Sequence, residues 1–412
     1  MRILIAALWI VISLNVVTAK TIRVGKTQTV QTITEATALA DDGDTILVSP
    51  GLYKEKSIYL HKRVYLIGID HPVIDGENKT EIITVTADGT VVEGFRLINS
   101  GTSSIEDYAA ILLSTVKNVT VRNNILENNF FGIFLKASTN CRVEKNTISS
   151  NARSESSSGN GIHCWKSDSL VILDNKIDRH RDGIYFEFVT NSIIARNIST
   201  NNIRYGLHFM FSHQDDYIQN YFKGNGAGVA VMYSRQVNMI YNFFLESWGD
   251  AAYGLYLKEI SDGRIEHNYF EKNTTAVVAE GSSRLKIQHS SFKNNGWAFR
   301  IQSSCMDLDI LENNFTGNSF DVATNGTLML NRFSNNYWDK YEGYDLDRDG
   351  TGDVPYRPVS MFSMIVERNP TVMMLFRSFI TTLMDKTEKV IPGLTPENLK
   401  DDEPRMKPLQ LL

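Results

Sequence analysis

Val119-x-Val121-x-x-Asn124, Cys141-x-Val143-x-x-Asn146 and Val171-x-Leu173-Asp174-Asn175 are three copies of one pattern, an apolar alternation that ends in asparagine. The pattern continues to residue 313 in steps of 22 to 29 residues, and its later markers are Asn197, Asn220, Asn242, Asn268, Ser290 and Asn313. A glycine that opens an apolar strand follows most copies, as at Gly132 and Gly206. A period near 22 residues with short strands predicts an all-β, right-handed parallel β-helix. It excludes a leucine-rich repeat, which needs a leucine framework, and a propeller, which needs about 40 residues per unit.

The repeat also predicts how the interior and the ends of this rod are built. Asparagines that recur at one corner predict an internal ladder in which each amide bonds to its copies on the neighbouring coils. The ends of a rod expose unpaired strand edges and need covers. Thr32 to Ala40 reads as a short amphipathic helix that caps the N-terminal end, and Asn336-Tyr337-Trp338 ends the coils. The predicted β-helix therefore spans residues 20–338.

The composition narrows the class of protein. The chain has 412 residues, 42 Lys+Arg against 47 Asp+Glu, and a net charge of −5, with no basic cluster of the kind that a nucleic-acid partner requires. Three cysteines are too few for a disulfide framework, and all three are predicted to be unpaired.

Residues 1–19 are predicted to be a secretory signal peptide. Arg2 precedes an apolar stretch from Ile3 to Val17, and Val17-Thr18-Ala19 supplies small residues for cleavage near Ala19. The alternative is a membrane anchor, but the stretch is short for a span. The mature protein is therefore expected in the periplasm.

The glycine strands predict which side chains face outward. Residues one and three after each glycine are apolar, so residues two and four must point away from the core. The outward residues form two columns, namely His163, Tyr185, His208, Ala230 and Tyr256, and beside them Trp165, Glu187, Met210, Met232 and Lys258. Inserted residues in the segments 151–160 and 246–252 are predicted to overhang the two ends of this face as walls of a cleft.

These outward columns carry an unusual set of donors for a solvated strand face. Thioether and imidazole groups together favour Cu(I) among the first-row metals. The sharper hypothesis is a transient Cu(I) site at His208, Met210 and Met232, with Glu187 nearby. The alternative is a docking or sugar-stacking surface without a metal. Four further residues of the columns are assigned to partner docking, namely His163, Trp165, Tyr185 and Tyr256.

Residues 339–357 contain an Asp-rich loop. Asp345, Asp347, Asp349, Thr351 and Asp353 stand at loop positions 1, 3, 5, 7 and 9, with Gly350 at position 6. This is the oxygen-ligand spacing of an EF-hand loop, although position 12 is Tyr356 rather than glutamate. The loop predicts a structural Ca²⁺ site, and the alternative is a turn without an ion.

Residues 358–412 form a tail of different character. Thr371 to Lys389 shows helical apolar spacing, and Thr395 to Leu412 reads as an extended segment. The tail is interpreted either as a helix packed along the rod or as an arm that docks on a membrane partner. The residues assigned to docking are Met361, Phe362, Met364, Leu375, Phe376 and Phe379.

Several segments together resemble the NosD family of periplasmic maturation proteins. The similar stretches are Arg204-Tyr-Gly-Leu-His-Phe-Met-Phe-Ser212, Gly226-Ala-Gly-Val-Ala-Val-Met-Tyr-Ser234, Arg357-Pro-Val-Ser-Met-Phe-Ser-Met-Ile365 and Glu367-Arg-Asn-Pro370. The resemblance implies a non-enzymatic role in assembling the copper centres of nitrous oxide reductase. The implied partners are an ABC ATPase and its membrane permease, through which the protein would be membrane-associated, and a copper chaperone lipoprotein. The family does not assign copper ligands, so that hypothesis depends on the columns alone.

Two other functions fit the same fold. A polysaccharide lyase, epimerase or hydrolase needs paired carboxylates or a base beside a cation. Glu187 is the single acid of the outward columns, with Asp182, Asp215 and Asp216 near it and with Arg181 and Arg204 able to neutralise a uronate. A surface adhesin or sugar-binding module would explain the aromatic residues but not the two methionines or the tail.

Overall fold

The computed structural model describes residues 19–103, 106–151, 153–249, 251–326, 330–391 and 399–411. These residues form a right-handed parallel β-solenoid of about 13 turns with about 23 residues per turn, which confirms the predicted fold class. All but the last residue of the predicted signal peptide lies outside the described residues. Residues 392–398, where the predicted extended segment begins, lie outside them too.

Three parallel sheets of 14, 13 and 12 strands run along the solenoid, and each coil between the two ends contributes one strand to each sheet. Sheet 1 consists of the strands Thr21–Val24, Thr45–Val48, Tyr65–Gly68, Val91–Glu93, Thr120–Arg122, Arg142–Glu144, Val171–Leu173, Ile193–Ala195, Asp216–Ile218, Asn238–Ile240, Arg264–Glu266, Ser283–Gln288, Met306–Leu311 and Leu330–Ser334. Sheet 2 consists of Leu52–Tyr53, Val73–Asp75, Arg96–Ile98, Ile125–Glu127, Thr147–Ser149, Lys176–Asp178, Ile198–Thr200, Tyr221–Lys223, Phe243–Leu245, Tyr269–Glu271, Ser291–Lys293, Asn314–Thr316 and Tyr337–Trp338. Sheet 3 consists of Ile58–Leu60, Ile83–Val85, Ala109–Ser114, Phe131–Lys136, Ile162–Trp165, Ile184–Glu187, Tyr205–Met210, Ala227–Met232, Tyr253–Lys258, Thr275–Glu280, Trp297–Ile301 and Phe320–Thr324.

The predicted asparagine ladder connects sheet 1 to sheet 2 inside the solenoid. Asn124 donates from its backbone N and from Nδ2 to Oδ1 of Asn146, each at 3.1 Å, and the same pair of bonds recurs from coil to coil. Ser290 continues the ladder through its hydroxyl, which accepts from the backbone N of Asn268. The ladder satisfies buried polar groups at a corner where the backbone turns, so it fixes the register of successive coils.

A second ladder, which the sequence analysis missed, lies five residues further along most coils. Its members are Asn129, Asn202, Asn225, Asn273, Asn295 and Asn318, and Asn202 Nδ2 donates to Asn225 Oδ1 at 2.8 Å. The spacing of five from Asn124 to Asn129 and from Asn197 to Asn202 was visible in the sequence. This second ladder connects sheet 2 to sheet 3.

The core consists of the inward apolar residues of all three sheets. Aromatic side chains stack along it, as in the series Phe244, Phe270, Phe292 and Phe315. The three cysteines, Cys141, Cys164 and Cys305, are buried and unpaired, as predicted. Burial raises the pKa of the Cys141 thiol to about 11, so it stays protonated as a packing group.

Both ends of the solenoid are covered. Helix α1, Ile33–Leu39, begins at Thr32, whose hydroxyl accepts from Glu35 N, and it buries Ile33 and Ala36 against the first coils. At the other end, residues 399–411 return along the edge of the last coil, where Asp401 lies opposite Phe333 and Arg405 opposite Tyr337. The chain thus closes the edge that a solenoid would otherwise leave unpaired.

The tail helices differ from the single helix predicted over Thr371 to Lys389. Helix α2, Met361–Arg368, precedes a 3₁₀ helix, Pro370–Leu375, and helix α3, Phe379–Val390, follows. Arg377 has a left-handed φ of 61°, and the Ser378 hydroxyl then accepts from Thr381 N to start a new helix. The sequence showed the apolar spacing, but this break depends on the local backbone.

Candidate functional site

The strand register of sheet 3 brings the two predicted columns together. His163, Tyr185, His208, Ala230 and Tyr256 are partners on successive strands, and so are Trp165, Glu187, Met210, Met232 and Lys258. The alternating residues, such as Ile184 and Phe186, are fully buried inside the coil. The columns therefore lie on the outer side of sheet 3, as the alternation predicts.

Met210 and Met232 are direct register partners on adjacent strands, and both side chains are half-buried. Tyr185 Oη donates to Met210 Sδ at 3.6 Å, so one thioether already has a polar neighbour. Glu187 is the register partner of Met210 on the other side. Two soft sulfur donors and one carboxylate therefore follow one another on three successive strands.

The His208 side chain is less exposed than its place in the outward column predicted. Its side chain is only 6% exposed, because its ring packs against Tyr185 at 5.0 Å and Tyr205 at 4.7 Å between ring centroids. His208 Nδ1 lies 3.9 Å from Asp182 Oδ2. His208 thus points away from the core but is covered by aromatic rings, and a metal ion could reach it only after Tyr185 or Tyr205 moved.

Asp182 is the centre of a buried polar cluster that the sequence analysis noted only as a turn residue. The side chain is fully buried, with Arg181 at 3.6 Å and Arg204 at 3.9 Å, and Oδ1 accepts from Tyr205 N at 3.3 Å. Asp182 and Tyr205 both stand directly before the glycine of their coil, where Asn160 stands one coil earlier. Polar residues at that position were the signal that could have located the cluster.

His163 and Tyr185, two of the residues assigned to docking, belong to a packed aromatic row rather than an open patch. His163 lies 4.5 Å from Phe134 and 4.8 Å from Tyr185 between ring centroids. Burial in this row lowers the pKa of His163 to about 3, so its imidazole is neutral near pH 7 and its Nδ1 can accept from Asn160 Nδ2 at 2.9 Å. Burial likewise raises the pKa of Tyr185 to about 12. Trp165 is half-buried, with the Lys166 ammonium 4.4 Å above its ring.

The first predicted wall contacts the face through Glu155, the second contributes Ala251 and Ala252 to a cleft at the far end, and a third element closes that end. The first segment contains a 3₁₀ helix, Glu155–Ser157, and Glu155 lies 3.8 Å from Arg204. At the other end, a cleft of about 390 Å³ lies between Tyr253, Tyr256, Trp297 and helix α2. Arg300 and Glu367 form a bidentate ion pair across this cleft, with Nε donating to Oε2 at 3.0 Å and Nη2 to Oε1 at 2.8 Å. Helix α2 is therefore the wall that the sequence did not predict.

The Asp-rich loop brings three of its five predicted ligands together. Ligand oxygens of Asp345, Asp347 and Asp349 lie within 4.8 Å of one another. Asp345 also accepts from Arg348 N at 2.6 Å and from Gly350 N at 3.0 Å. Asp353 instead accepts from Leu346 N at 2.7 Å, and the Thr351 backbone N donates to Asp349. Three carboxylates so close repel one another unless a cation lies between them, and hard oxygen donors suit Ca²⁺.

The tail residues assigned to docking divide into two groups. Phe362 is buried against Phe320, and Phe376 and Met364 also pack inward, so these three anchor the tail. Phe379 is 81% exposed and Leu375 41%, and Met361 is half-buried. The exposed apolar residues of this region also include Met374, Ile380, Leu383 and Ile391, which the assignment omitted. No helix among the described residues has the length and apolar character needed to cross a bilayer.

Fold and site together define a β-solenoid protein with thioether groups on one outer face. Residues 56–176 match the family described as right-handed β-helix region, and residues 148–343 match the family described as periplasmic copper-binding protein (NosD). The match over residues 148–343 confirms the resemblance to the NosD family found in the sequence.

Two curated relatives carry the NosD name, and solved structures share the fold. A "Probable ABC transporter binding protein NosD" of Pseudomonas aeruginosa is 28% identical over 81% of this chain and 82% of its own length. A protein of the same name from Stutzerimonas stutzeri is 24% identical over 81% and 80%. The catalytic domain of a GH87 α-1,3-glucanase has a TM-score of 0.61 at 12% identity over 78% of this chain and 69% of that one. PfbA, a surface adhesin of Streptococcus pneumoniae, has a TM-score of 0.54 at 13% identity over 74% and 88%. These two structures show the fold alone.

Proposed function

We propose that this protein is a non-enzymatic periplasmic maturation factor that handles copper for nitrous oxide reductase, together with an ABC transporter made of an ATPase and a permease. The NosD family match, whose description names copper and the periplasm, supports this role. The names of the relatives, which mention an ABC transporter, support the partnership. Copper in this proposal is cargo that arrives from a copper chaperone lipoprotein and leaves for the reductase.

One observation supports particular residues as the ligands of Cu(I) in this proposal. Met210 and Met232 are register partners on the outer side of sheet 3, so their sulfurs can approach one ion from adjacent strands about 4.8 Å apart. Thioethers select Cu(I) over harder cations, and a site with few ligands releases its ion readily. Glu187 lies one strand away, and His208 would join only if the rings that cover it moved.

Competitive Cu(I) titration of the purified mature protein tests the site. Wild type is expected to take Cu(I) from a chromophoric chelator, and Met210→Ala combined with Met232→Ala should lower the affinity by at least about tenfold. Met306→Ala is the matched control, because Met306 is 48% exposed on sheet 1, far from the columns. If the double variant binds Cu(I) as tightly as wild type, the proposed ligands are wrong.

The cellular role has its own measurement. In a strain that lacks the protein, complementation with wild type should restore the copper content of nitrous oxide reductase. The Met210→Ala, Met232→Ala variant should restore less copper while accumulating to the same level. Equal copper content with both proteins would contradict the role assigned to the methionines.

The tail is proposed to dock on the permease. Its anchoring residues pack against the solenoid, and Phe379, Ile380 and Leu383 on helix α3 remain 81%, 51% and 52% exposed. Such a patch on one helix is typical of an interaction site. Phe379→Asp with Leu383→Asp should abolish copurification with the permease, whereas Leu52→Asp, an exposed site near the N-terminal end, should not. An undiminished complex would refute the docking role.

A second candidate function is favoured by the Asp182 cluster. The guanidinium groups of Arg181 and Arg204 and the imidazole of His208 lie within 3.9 Å of the Asp182 carboxylate. Acid–base chemistry on a uronate or glucan could use these groups. Incubation of the mature protein with alginate and with α-1,3-glucan should give no product if the first proposal is right. Product formation that is lost in Asp182→Asn would favour the enzyme instead.

A further inference from the structure

Three aromatic residues stack along one corner of the solenoid, directly beside the outward columns. Phe188 and Phe211 lie 5.3 Å apart between ring centroids, and Phe211 and Tyr233 lie 5.0 Å apart, with interplanar angles of 9° and 14°. Phe188 is 45% exposed and Phe211 36%. Because the ring faces cover one another, the stack presents its edges to solvent. We call Phe188, Phe211 and Tyr233 the corner ridge.

Each member of the corner ridge directly follows a member of the outward column that contains Glu187, Met210 and Met232. Phe188 follows Glu187, Phe211 follows Met210, and Tyr233 follows Met232. All three have a left-handed backbone, with φ of 54°, 49° and 55°. Large aromatic residues are rare in this conformation, which asparagine and glycine adopt more easily. The turn therefore does not explain why aromatic residues occupy this corner on three successive coils. Neither the copper hypothesis nor the docking assignments used these residues.

Charged groups mark the two ends of the corner ridge. On the preceding coil, Lys166 occupies the corner position equivalent to Phe188. The Lys166 ammonium lies over the Trp165 ring, and the Lys136 ammonium lies 5.9 Å from the centre of the same ring. Lys258 lies 5.9 Å from the Tyr233 ring at the other end, followed by the exposed Glu259. One end of the ridge is therefore cationic, which suits a partner with acidic residues around an apolar patch.

We propose that the corner ridge is the docking surface for a protein that carries Cu(I), and this inference rests on the proposed function. Direct exchange of an ion between two proteins requires their ligands to share it for a moment. Met210 and Met232 are half-buried, and one residue along a strand is about 3.3 Å. Any carrier that reaches the two sulfurs therefore covers the ridge as well. Exposed aromatic residues are the side chains that most often anchor such contacts.

The test compares two sources of Cu(I), the purified soluble domain of the copper chaperone lipoprotein from the same organism and a small Cu(I)–bicinchoninate complex. The variant is Phe188→Asn with Phe211→Asn, since asparagine tolerates the left-handed backbone and the fold is kept. Transfer from the chaperone should become about thirtyfold slower or weaker, and transfer from the small complex should be unchanged. Tyr241→Asn is the matched control, because Tyr241 is a 40% exposed aromatic residue with φ of 58° on another corner.

Three outcomes would overturn the inference alone, and a fourth would overturn it together with the proposed function. Transfer from the chaperone at the wild-type rate in the double variant would show that the ridge is not the docking surface. An equal slowing by Tyr241→Asn would show a general surface effect. If the double variant slows transfer from the small complex as much as transfer from the chaperone, the ridge shapes the metal site instead. Wild type that accepts Cu(I) from neither source would overturn the proposed function together with this inference.

Discussion

Single residues in this protein take their roles from the alternation along each strand and from their place at a corner. Met210 faces outward because Phe209 before it faces the core, and Phe211 after it lies on the corner. The buried positions of the coils are not all apolar. Asp215 is buried at a corner of its coil, between Ser192 on the preceding coil and Val237 on the following one. Asp215 Oδ1 accepts from Ser192 N at 2.9 Å, and the side chain is fully buried.

The buried carboxyl of Asp215 predicts a pH-dependent stability. Burial raises its pKa from 3.8 to about 8, so the folded state favours the protonated form. The stabilisation is complete below the unfolded pKa near 3.8 and is lost as the pH rises through about 8. The free energy of unfolding should therefore fall between about pH 5 and 8, by at most about 1.4 kcal/mol per unit from this group.

Asp215→Asn should remove that part of the slope, because the amide oxygen still accepts from Ser192 N and no charge is buried at high pH. Urea unfolding at a series of pH values measures it. Asp307→Asn, at an exposed position on sheet 1, is the control. A wild-type slope retained in Asp215→Asn would show that Asp215 is not the group responsible.

Elements beyond the coils depend on contacts that no repeat specifies. The loop of residues 339–357 holds three carboxylates together through backbone N–H donors, and the break at Arg377 separates the anchored 3₁₀ helix from the exposed α3. Phe362 on α2 packs against Phe320 of the last sheet 3 strand, so the tail starts from a fixed position on the rod.

The loop predicts a response to Ca²⁺. Removal of Ca²⁺ with a chelator should lower the Tm by a few degrees, and added Ca²⁺ should restore it, because an ion that binds only the folded loop stabilises the fold. Asp347→Asn should abolish the response to both treatments. Asp307→Asn, at an exposed site on sheet 1, should behave like wild type. Equal melting with and without Ca²⁺ would leave the loop as a plain turn.

At the scale of the whole molecule, stability is a sum over coils and their neighbours, so the ends matter most. The asparagine ladder does not stop in solvent, because Asp401 Oδ2 accepts from Asn336 N, from Asn336 Nδ2 and from Trp338 Nε1, each at 3.0 Å. Residues more than 60 positions apart in the chain thus close the C-terminal end.

Asp401→Ala should therefore unfold the last coils first. It leaves three buried donors without an acceptor, which costs about 3 kcal/mol or more. Hydrogen exchange should quicken around Asn313 and Asn336 but not in the N-terminal coils. Asp402→Ala removes an exposed carboxylate next to it and serves as the control. Unchanged exchange at the C-terminal coils in Asp401→Ala would show that another group caps the ladder.

The sequence by itself determined the solenoid, its period, the first asparagine ladder, the N-terminal cap and the two outward columns, because each of these depends on local alternation repeated every 22 or so residues. It did not show that His208 lies under aromatic rings, that Asp182 gathers two arginines, or that Phe188, Phe211 and Tyr233 stack. Those features arise between side chains on different coils or between a coil and the tail. Only the tertiary structure decides them, since the rotation of each coil, the left-handed corners and the return of the tail set distances that spacing along the chain does not contain.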